Sequence, residues 1–292
     1  MIEPSGLVVN ISGTTQICGV IGDPVQHSLS PRMHNAAFAH LGLDYAYVAF
    51  HVREIGPAIA GVRGFNLAGL SVTIPHKLAV MPHLDEISPL AQRIGAVNTI
   101  THDAGRLLGT NTDAHGSLRA LEDQRAAAGQ TILILGVGGA ARAILLALAC
   151  ERQPAKIILA GRKAEKTQSL AQEVQANTRV PIEPCGFTPE ALGPAVEQSS
   201  IIIHTTPVGM HPHVEDTPLP GEWIRSDHVV FDMIYNPLPT RLLREADQAG
   251  AQTISGLPMF VYQGAEQFRL WTGIEPPADV MQTAVLEALQ AK

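Results

Sequence analysis

No apolar run in the 292-residue sequence approaches the roughly 18 uninterrupted residues that a membrane span needs, so no membrane partner is expected. Charge is also scarce: Asp, Glu, Lys and Arg make up 16% of residues, below the roughly 25% of an average soluble domain. What charge there is leans acidic, with 20 Lys and Arg against 27 Asp and Glu and a net charge of −7. A nucleic-acid-binding chain usually carries a basic excess, so nucleic acid is not an expected partner either. Cysteine is limited to Cys18, Cys150 and Cys185, an odd number with no CxxC spacing. That pattern excludes a disulfide framework and points to free thiols in a reducing compartment. The stretch Met1–Thr15 holds Glu3 but no Lys or Arg, unlike a secretory signal, and the expected location is the cytoplasm. There is no repeat of solenoid length, no low-complexity tract and no HExxH. The 12 histidines include His211-Pro212-His213, which reads as a polar loop, and no metal is expected.

What the chain does have is a high apolar content, 46%, arranged in short runs. Candidate strands are Ile17–Ile21, Ala46–Phe50, Gly69–Ile74, Thr131–Leu135, Lys156–Ala160, Ile201–His204 and Val229–Ile234. Several are unbroken Val/Ile/Leu stretches, as parallel strands covered on both faces require. Helical stretches such as Pro31–Leu41, Gly139–Cys150 and Ala164–Gln175 alternate with them, which argues for doubly wound α/β sheets. A polar stretch near residues 112–130 and the Ser255-Gly256-Leu257-Pro258 segment divide the chain. The helical tail from Met259 is expected to return to the first unit, giving two lobes with a cleft, a preferred place for a small-molecule site.

Thr131–Leu135 runs directly into Gly136-Val137-Gly138-Gly139-Ala140-Ala141 and an apolar helix. In this strand–turn–helix setting, GxGxxA points to dinucleotide binding. Gly136 permits the tight turn, Gly138 lets a pyrophosphate approach the backbone, and Ala141 keeps helix and strand close. The helix N-terminus supplies free N–H groups to the phosphate. NAD-binding proteins usually place Asp or Glu at the tip of the next strand. Here the tip reads Gly161-Arg162-Lys163-Ala164-Glu165-Lys166, whose cations suit a 2′-phosphate and therefore NADP. The plainer alternative is a solvated basic turn.

Four polar clusters precede this region. Asp23–Pro31 sets the hydroxyls of Ser28 and Ser30 just before a helix. A Ser-Pro pair is ordinary helix-start chemistry for Ser30, whereas Ser28 has no such reason, and the pair suits an anionic carboxylate. Ser71–Lys77 places Thr73 and Lys77 just past a strand end, with Pro75 breaking the ladder. Gly95–Thr99 and Asn111–Asp113 contribute Asn98 and Asp113.

Taken with Gly136–Arg142, Thr206–Met210, Asp232–Pro237 and Gly256–Gln263, these clusters closely resemble the shikimate dehydrogenase family, in family order over nearly the whole chain. The resemblance implies an N-terminal α/β substrate-binding domain completed by C-terminal helices, plus a Rossmann-type NADP-binding domain. It places the former at residues 1–113 and 256–292 and the latter at 114–255. It implies reversible NADPH-dependent reduction of 3-dehydroshikimate to shikimate, in chorismate and aromatic amino-acid synthesis. By position, Ser28 and Ser30 would hold the substrate carboxylate, and Thr73, Asn98, Asp113 and Gln263 the ring hydroxyls. Tyr235 would line the site, with Lys77 as the central acid/base and Asp113 its partner. Gly136, Val137, Gly138, Gly139 and Ala140 would cradle the pyrophosphate. The segment Gly161, Arg162, Lys163, Ala164, Glu165 and Lys166 would meet the 2′-phosphate, and Gly256 would lie near the nicotinamide. Two positions depart from the family pattern, Gly161 and His204, where the family commonly has Asn. A quinate/shikimate paralogue would favour an acidic strand tip, which is absent. A non-catalytic nucleotide sensor would not need Lys77 and Asp113. The sequence leaves oligomeric state open, with a homodimer among the allowed assemblies.

Overall fold

A computed structural model describes residues 11–124 and 127–291. Two compact units result: Met1–Thr112 with Val261–Lys292, and Asp113–Phe260. The sequence-based divisions at 113/114 and 255/256 differ slightly, because the division follows Thr112 and Phe260, the latter inside one continuous helix, Gly256–Thr272.

The first unit is built on six strands: β1 Gln16–Gly22, β2 Tyr45–His51, β3 Gly69–Val72, β4 Glu86–Ile87, β5 Thr99–Asp103 and β6 Arg106–Thr110. Their order across the sheet is β2-β1-β3-β5-β6-β4. β1 runs parallel to β2 and β3, while β5 is antiparallel to both β3 and β6. The expected strand Gly69–Ile74 ends at Val72, where the chain turns toward Pro75. Ile21, Leu70, Val72, Ile100 and Leu107 bury one face against Ile59 and Val62 of the helix Ile55–Gly64.

On the other face, Gly256–Thr272 packs against the first helix, Ser30–His40, with Phe38 and Phe268 stacked at 5.2 Å. The C-terminal helix Ala278–Gln290 lies against the same first helix. Gly69 makes this docking close. Trp271 fills the space a side chain at 69 would occupy and donates its indole N–H to the Ile100 carbonyl at 3.0 Å.

The second unit holds β7 Thr131–Leu135, β8 Lys156–Ala160, β9 Ile182–Cys185, β10 Ile201–His204, β11 Val229–Asp232 and β12 Gln252–Ile254. All are parallel, in the order β12-β11-β10-β7-β8-β9, the two-halved Rossmann arrangement. Parallel strands covered on both faces need continuous apolar sequence, and Ile132–Leu135, Ile157–Ala160 and Ile201–Ile203 are all buried. The helix after β7, Gly139–Glu151, buries an unbroken run from Ala143 to Ala149. Among the described residues, no helix is long and apolar enough to cross a membrane, and Cys18, Cys150 and Cys185 are free thiols.

Candidate functional site

Strand direction alone gathers the polar clusters of the first unit. β1 and β3 are parallel neighbours, paired from Cys18↔Gly69 to Ile21↔Val72, so Asp23–Ser30 and Thr73–Lys77 leave the sheet at the same edge. β5 runs the other way and pairs Ser71↔Thr99, so Asn98 enters at that edge. β6 reverses again through Thr99↔Thr110 and delivers Asn111 and Thr112 there. Because β2 lies on one side of β1 and β3 on the other, this edge carries a topological switch point, where open α/β sheets bind ligands.

The groups at this edge are tied together by buried hydrogen bonds. Ser30 begins its helix, but Leu29 occupies the N-cap position and caps with no side chain, so the capping role open to Ser30 is not taken. Ser30 instead lies beside the Tyr47 hydroxyl, whose proton burial makes hard to remove. Tyr47 donates to Ser71 Oγ at 2.6 Å, and Ser71 donates to Gln267 Oε1 at 2.8 Å. Gln267 Nε2 donates to Thr99 Oγ1 at 3.0 Å, and Thr99 donates to Asn98 Oδ1 at 2.8 Å. Asn98 Oδ1 also accepts from Thr112 N at 2.7 Å, while its Nδ2 donates to Thr112 Oγ1 at 3.0 Å. One relay therefore runs from Tyr47, beside Ser30, to Thr112. With Tyr47, Ser71 and Gln267 buried, each unmet polar atom would cost about 1–3 kcal/mol, which fixes the two ends relative to each other.

The remaining candidates sit around this relay. Ser28 Oγ accepts from the Ser30 N–H at 3.3 Å. Thr73 continues past β3, its N–H donating to the Ile21 carbonyl at 2.9 Å. Lys77 lies half-buried on the short helix His76–Ala79, with its carbonyl held by Val97 N at 2.8 Å. The neighbouring His76 anchors the turn by donating Nε2–H to the Val52 carbonyl at 2.7 Å. Gln263 is buried on Gly256–Thr272, one turn before Gln267. Asp113 directly follows Thr112, in the first turn of the helix Thr112–Glu122, where the helix dipole favours a carboxylate.

In the second unit the switch point lies between β7 and β10. Gly136, at φ 121°, occupies backbone space that L side chains rarely enter, and a Cβ there would strike Thr205 Oγ1. Nothing lies within 4 Å of where Cβ atoms on Gly138 and Gly139 would stand, so a ligand can reach the backbone closely. Gly138 is the N-cap of Gly139–Glu151 and offers no side-chain cap, leaving that helix start to a phosphate. Ala141 is fully buried. Val137, Gly138, Gly139 and Ala140 thus form a cradle that fits a dinucleotide pyrophosphate.

The β8 tip accounts for Gly161. Buried Thr167 places Oγ1 where a side chain at 161 would begin and donates it to the Lys163 carbonyl at 2.9 Å; Val137 closes the other side. Arg162, Lys163, Ala164, Glu165 and Lys166 are all exposed beyond it. Gly256 lets its helix start abut β11, where its N–H donates to the Ile234 carbonyl at 3.1 Å and Met233 O fills the place of a Cβ. Tyr235 stacks on Phe260 at 4.7 Å, and burial raises its pKa.

Ser28, Ser30, Thr73, Lys77, Asn98 and Gln263 therefore belong to the first unit. Asp113, Tyr235, Gly256 and the cofactor segments belong to the second. Sequence reasoning missed Tyr47, Ser71 and Gln267 as site-building residues. The one available signal was Gln267 four residues after Gln263, on the same helix face.

A six-stranded parallel sheet with a glycine turn, and a mixed sheet with a hydroxyl- and amide-rich edge, define a nucleotide-dependent dehydrogenase of two units. The shikimate dehydrogenase substrate binding domain matches residues 20–100, and the shikimate 5'-dehydrogenase C-terminal domain matches 256–286. The chain is 46% identical to a shikimate dehydrogenase (NADP(+)) of Methanothermobacter thermautotrophicus, over 96% of this chain and 99% of that one. Shikimate 5-dehydrogenase from Listeria monocytogenes, solved with shikimate and NAD, is 37% identical with a TM-score of 0.90, covering 95% of this chain and 99% of that one. The Thermus thermophilus enzyme, solved with NADP(H) and shikimate, is 38% identical with a TM-score of 0.84, covering 94% and 100%. The chain belongs to the shikimate dehydrogenase family.

Proposed function

We propose that this chain is an NADP-dependent shikimate dehydrogenase, interconverting 3-dehydroshikimate and shikimate on the route to chorismate and the aromatic amino acids. The observation that carries this reading is likeness at 46% identity over nearly the full length of both chains. Ser28 and Ser30 bind the substrate carboxylate, and Thr73, Asn98, Asp113 and Gln263 the ring hydroxyls, with Tyr235 against the ring. The relay from Tyr47, beside Ser30, to Thr112 supports this division, since it holds the neighbourhoods of the carboxylate end and the hydroxyl end of a small rigid acid at one spacing. Lys77 delivers the proton to the carbonyl oxygen during reduction and takes it back from the hydroxyl during oxidation, with Asp113 orienting it.

The cofactor, when bound, supplies or accepts the hydride. Gly136–Ala140 hold its pyrophosphate, Gly161–Lys166 its 2′-phosphate, and Gly256 lies on the nicotinamide side. On this reading residues 1–113 and 256–292 serve the substrate and 114–255 the cofactor. The free thiols support a cytoplasmic location. Reduced-nicotinamide absorbance, followed with shikimate or quinate crossed with NADP+ or NAD+, is the test. Shikimate with NADP+ gives by far the highest kcat/KM. Comparable rates with quinate would replace this reading by a quinate/shikimate paralogue.

A further inference from the structure

The strand before the Thr206-Pro207 turn ends in His204, and the geometry around it gives that histidine a purpose. His204 and Asp232 end the neighbouring strands β10 and β11, paired with each other in register, and both are fully buried. His204 Nδ1 meets Asp232 Oδ1 at 3.0 Å, and Nε2 meets Thr206 Oγ1 at 2.5 Å. A carboxylate only accepts, so Nδ1 carries the hydrogen of the first bond. In the neutral ring Nε2 is then the acceptor, and the Thr206 hydroxyl donates to it.

Asp232 is held from two further directions: Oδ1 accepts from Ile234 N at 3.0 Å, and Oδ2 accepts from the Thr240 hydroxyl at 2.6 Å. Thr240 in turn caps the helix Arg241–Gln248. At the other end of the chain of bonds, Thr206 Oγ1 accepts from Val208 N at 3.3 Å. With its hydroxyl committed to His204 and Val208, Thr206 has one rotamer, and its methyl lies against the glycine turn, 3.0 Å from where a Cβ on Gly136 would stand. That turn and the end of β10 are the two sides of the switch-point crevice.

We infer that His204 and Asp232 are positioning residues for the dinucleotide, fixing the Thr206–Val208 turn as one wall of the crevice opposite the glycine turn. The inference rests on the cofactor reading above. Helix Arg241–Gln248, β11, β10 and the crevice wall are one continuous chain of hydrogen bonds. The sequence marks His204 only as a departure, because its partners lie 28 residues on, in Asp232, and two residues on, in Thr206.

Two substitutions separate the parts of this device. Thr206→Val keeps the shape and the methyl but removes the hydroxyl. His204→Asn places an amide near the former Nδ1, so buried Asp232 keeps a partner, but it cannot reach Thr206. The measurements are the Kd of NADP+ by titration calorimetry, the KM of each substrate, and the melting temperature without cofactor. Both variants are expected to weaken NADP+ binding roughly two- to twelvefold, the worth of one hydrogen bond. The KM for shikimate stays near wild type, the cofactor-free melting temperature falls by the few degrees that one unmet buried polar atom costs, and the double variant loses no more NADP+ affinity than either single. Wild-type NADP+ affinity in Thr206→Val overturns the inference, as do losses that multiply in the double variant. A wild-type protein that fails to bind NADP+ at all would instead overturn the cofactor reading itself.

Discussion

Arg162 is the single residue on which cofactor choice is most exposed to test. It stands in solvent just beyond Gly161, where Thr167 and Val137 close off the strand tip, and on the proposed reading it is the charge that selects the cofactor. Arg162→Ala is expected to weaken NADP+ about tenfold or more while changing NAD+ little, because only the 2′-phosphate offers its planar fork a charge-assisted partner. Equal losses for both cofactors in parallel titrations would refute that role. In the proposed mechanism Lys77 carries the proton step. Lys77→Ala is expected to lower kcat by about 10²–10⁴-fold with a much smaller change in NADP+ affinity. Asp113→Asn lowers kcat as well, and the double variant loses less than the product of the two. A Lys77→Ala enzyme with wild-type kcat would remove the lysine from the mechanism.

At the scale of elements, what counts is how closely they approach. A Cβ on Gly69 would overlap the Trp271 indole and lie 2.5 Å from the Ile100 carbonyl, so β3, β5 and the helix Gly256–Thr272 meet only because this position has no side chain. Gly69→Ala is expected to destabilise the first unit by about 1–3 kcal/mol, read as a lower midpoint in urea followed by tryptophan fluorescence. Trp271→Phe in the same chain, which removes the first unit's tryptophan and is therefore followed by circular dichroism, should relieve part of the loss. The helix–strand alternation was plain from sequence where runs were uniformly apolar: Thr131–Leu135, Lys156–Ala160 and Ile201–His204 match their strands end to end. Runs of mixed polarity were not recognised. Thr99–Asp103 and Arg106–Thr110 form a hairpin whose two-residue turn, Ala104 at φ 47° and Gly105 at φ 83°, is the kind that suits strand twist, yet Ala at its first position hides the usual Asn-Gly signal. Ile182–Cys185 and Gln252–Ile254 are edge strands, short and half-exposed, and carry little pattern to read. The candidate site residues stood out in the sequence as motifs. The relay through Tyr47, Ser71 and Gln267 did not, because its members join three elements far apart in sequence and each alone passes for ordinary core.

Across the whole molecule, the acid limb of stability is set above the range of the carboxylates. His34 is fully buried and stacked on Tyr47 at 4.4 Å, with Phe38 and Trp271 close by. Burial pushes its pKa from 6.5 down to about 3, opposed only in part by the Gln267 side chain. The unfolded chain therefore takes up a proton below about pH 6.5 that the folded chain refuses until about pH 3. Stability from this residue is complete above pH 6.5 and is lost as pH falls, by about 1.4 kcal/mol per pH unit once the unfolded histidine is charged. Tyr47 bounds the other side. Burial raises its pKa above the ordinary value of 10.0, so unfolding is favoured as pH climbs beyond that value. The depressed carboxyls of Asp44, Asp85 and Glu173 act only at pH values near and below their ordinary 3.8 to 4.5, leaving the interval from 6.5 to 5 to histidine. His228, lowered by burial and by Arg225, titrates in the same direction but sits in the second unit. His34→Phe keeps an aromatic ring in the stack and removes the titration. In urea melts of the first unit's tryptophan signal, wild type should lose about 2 kcal/mol between pH 7.5 and 5 through His34, and His34→Phe should flatten that limb by one proton's slope. Parallel pH profiles for the two proteins would mean that the ring is charged in the folded state, and that the aromatic stack is not what sets the acid edge.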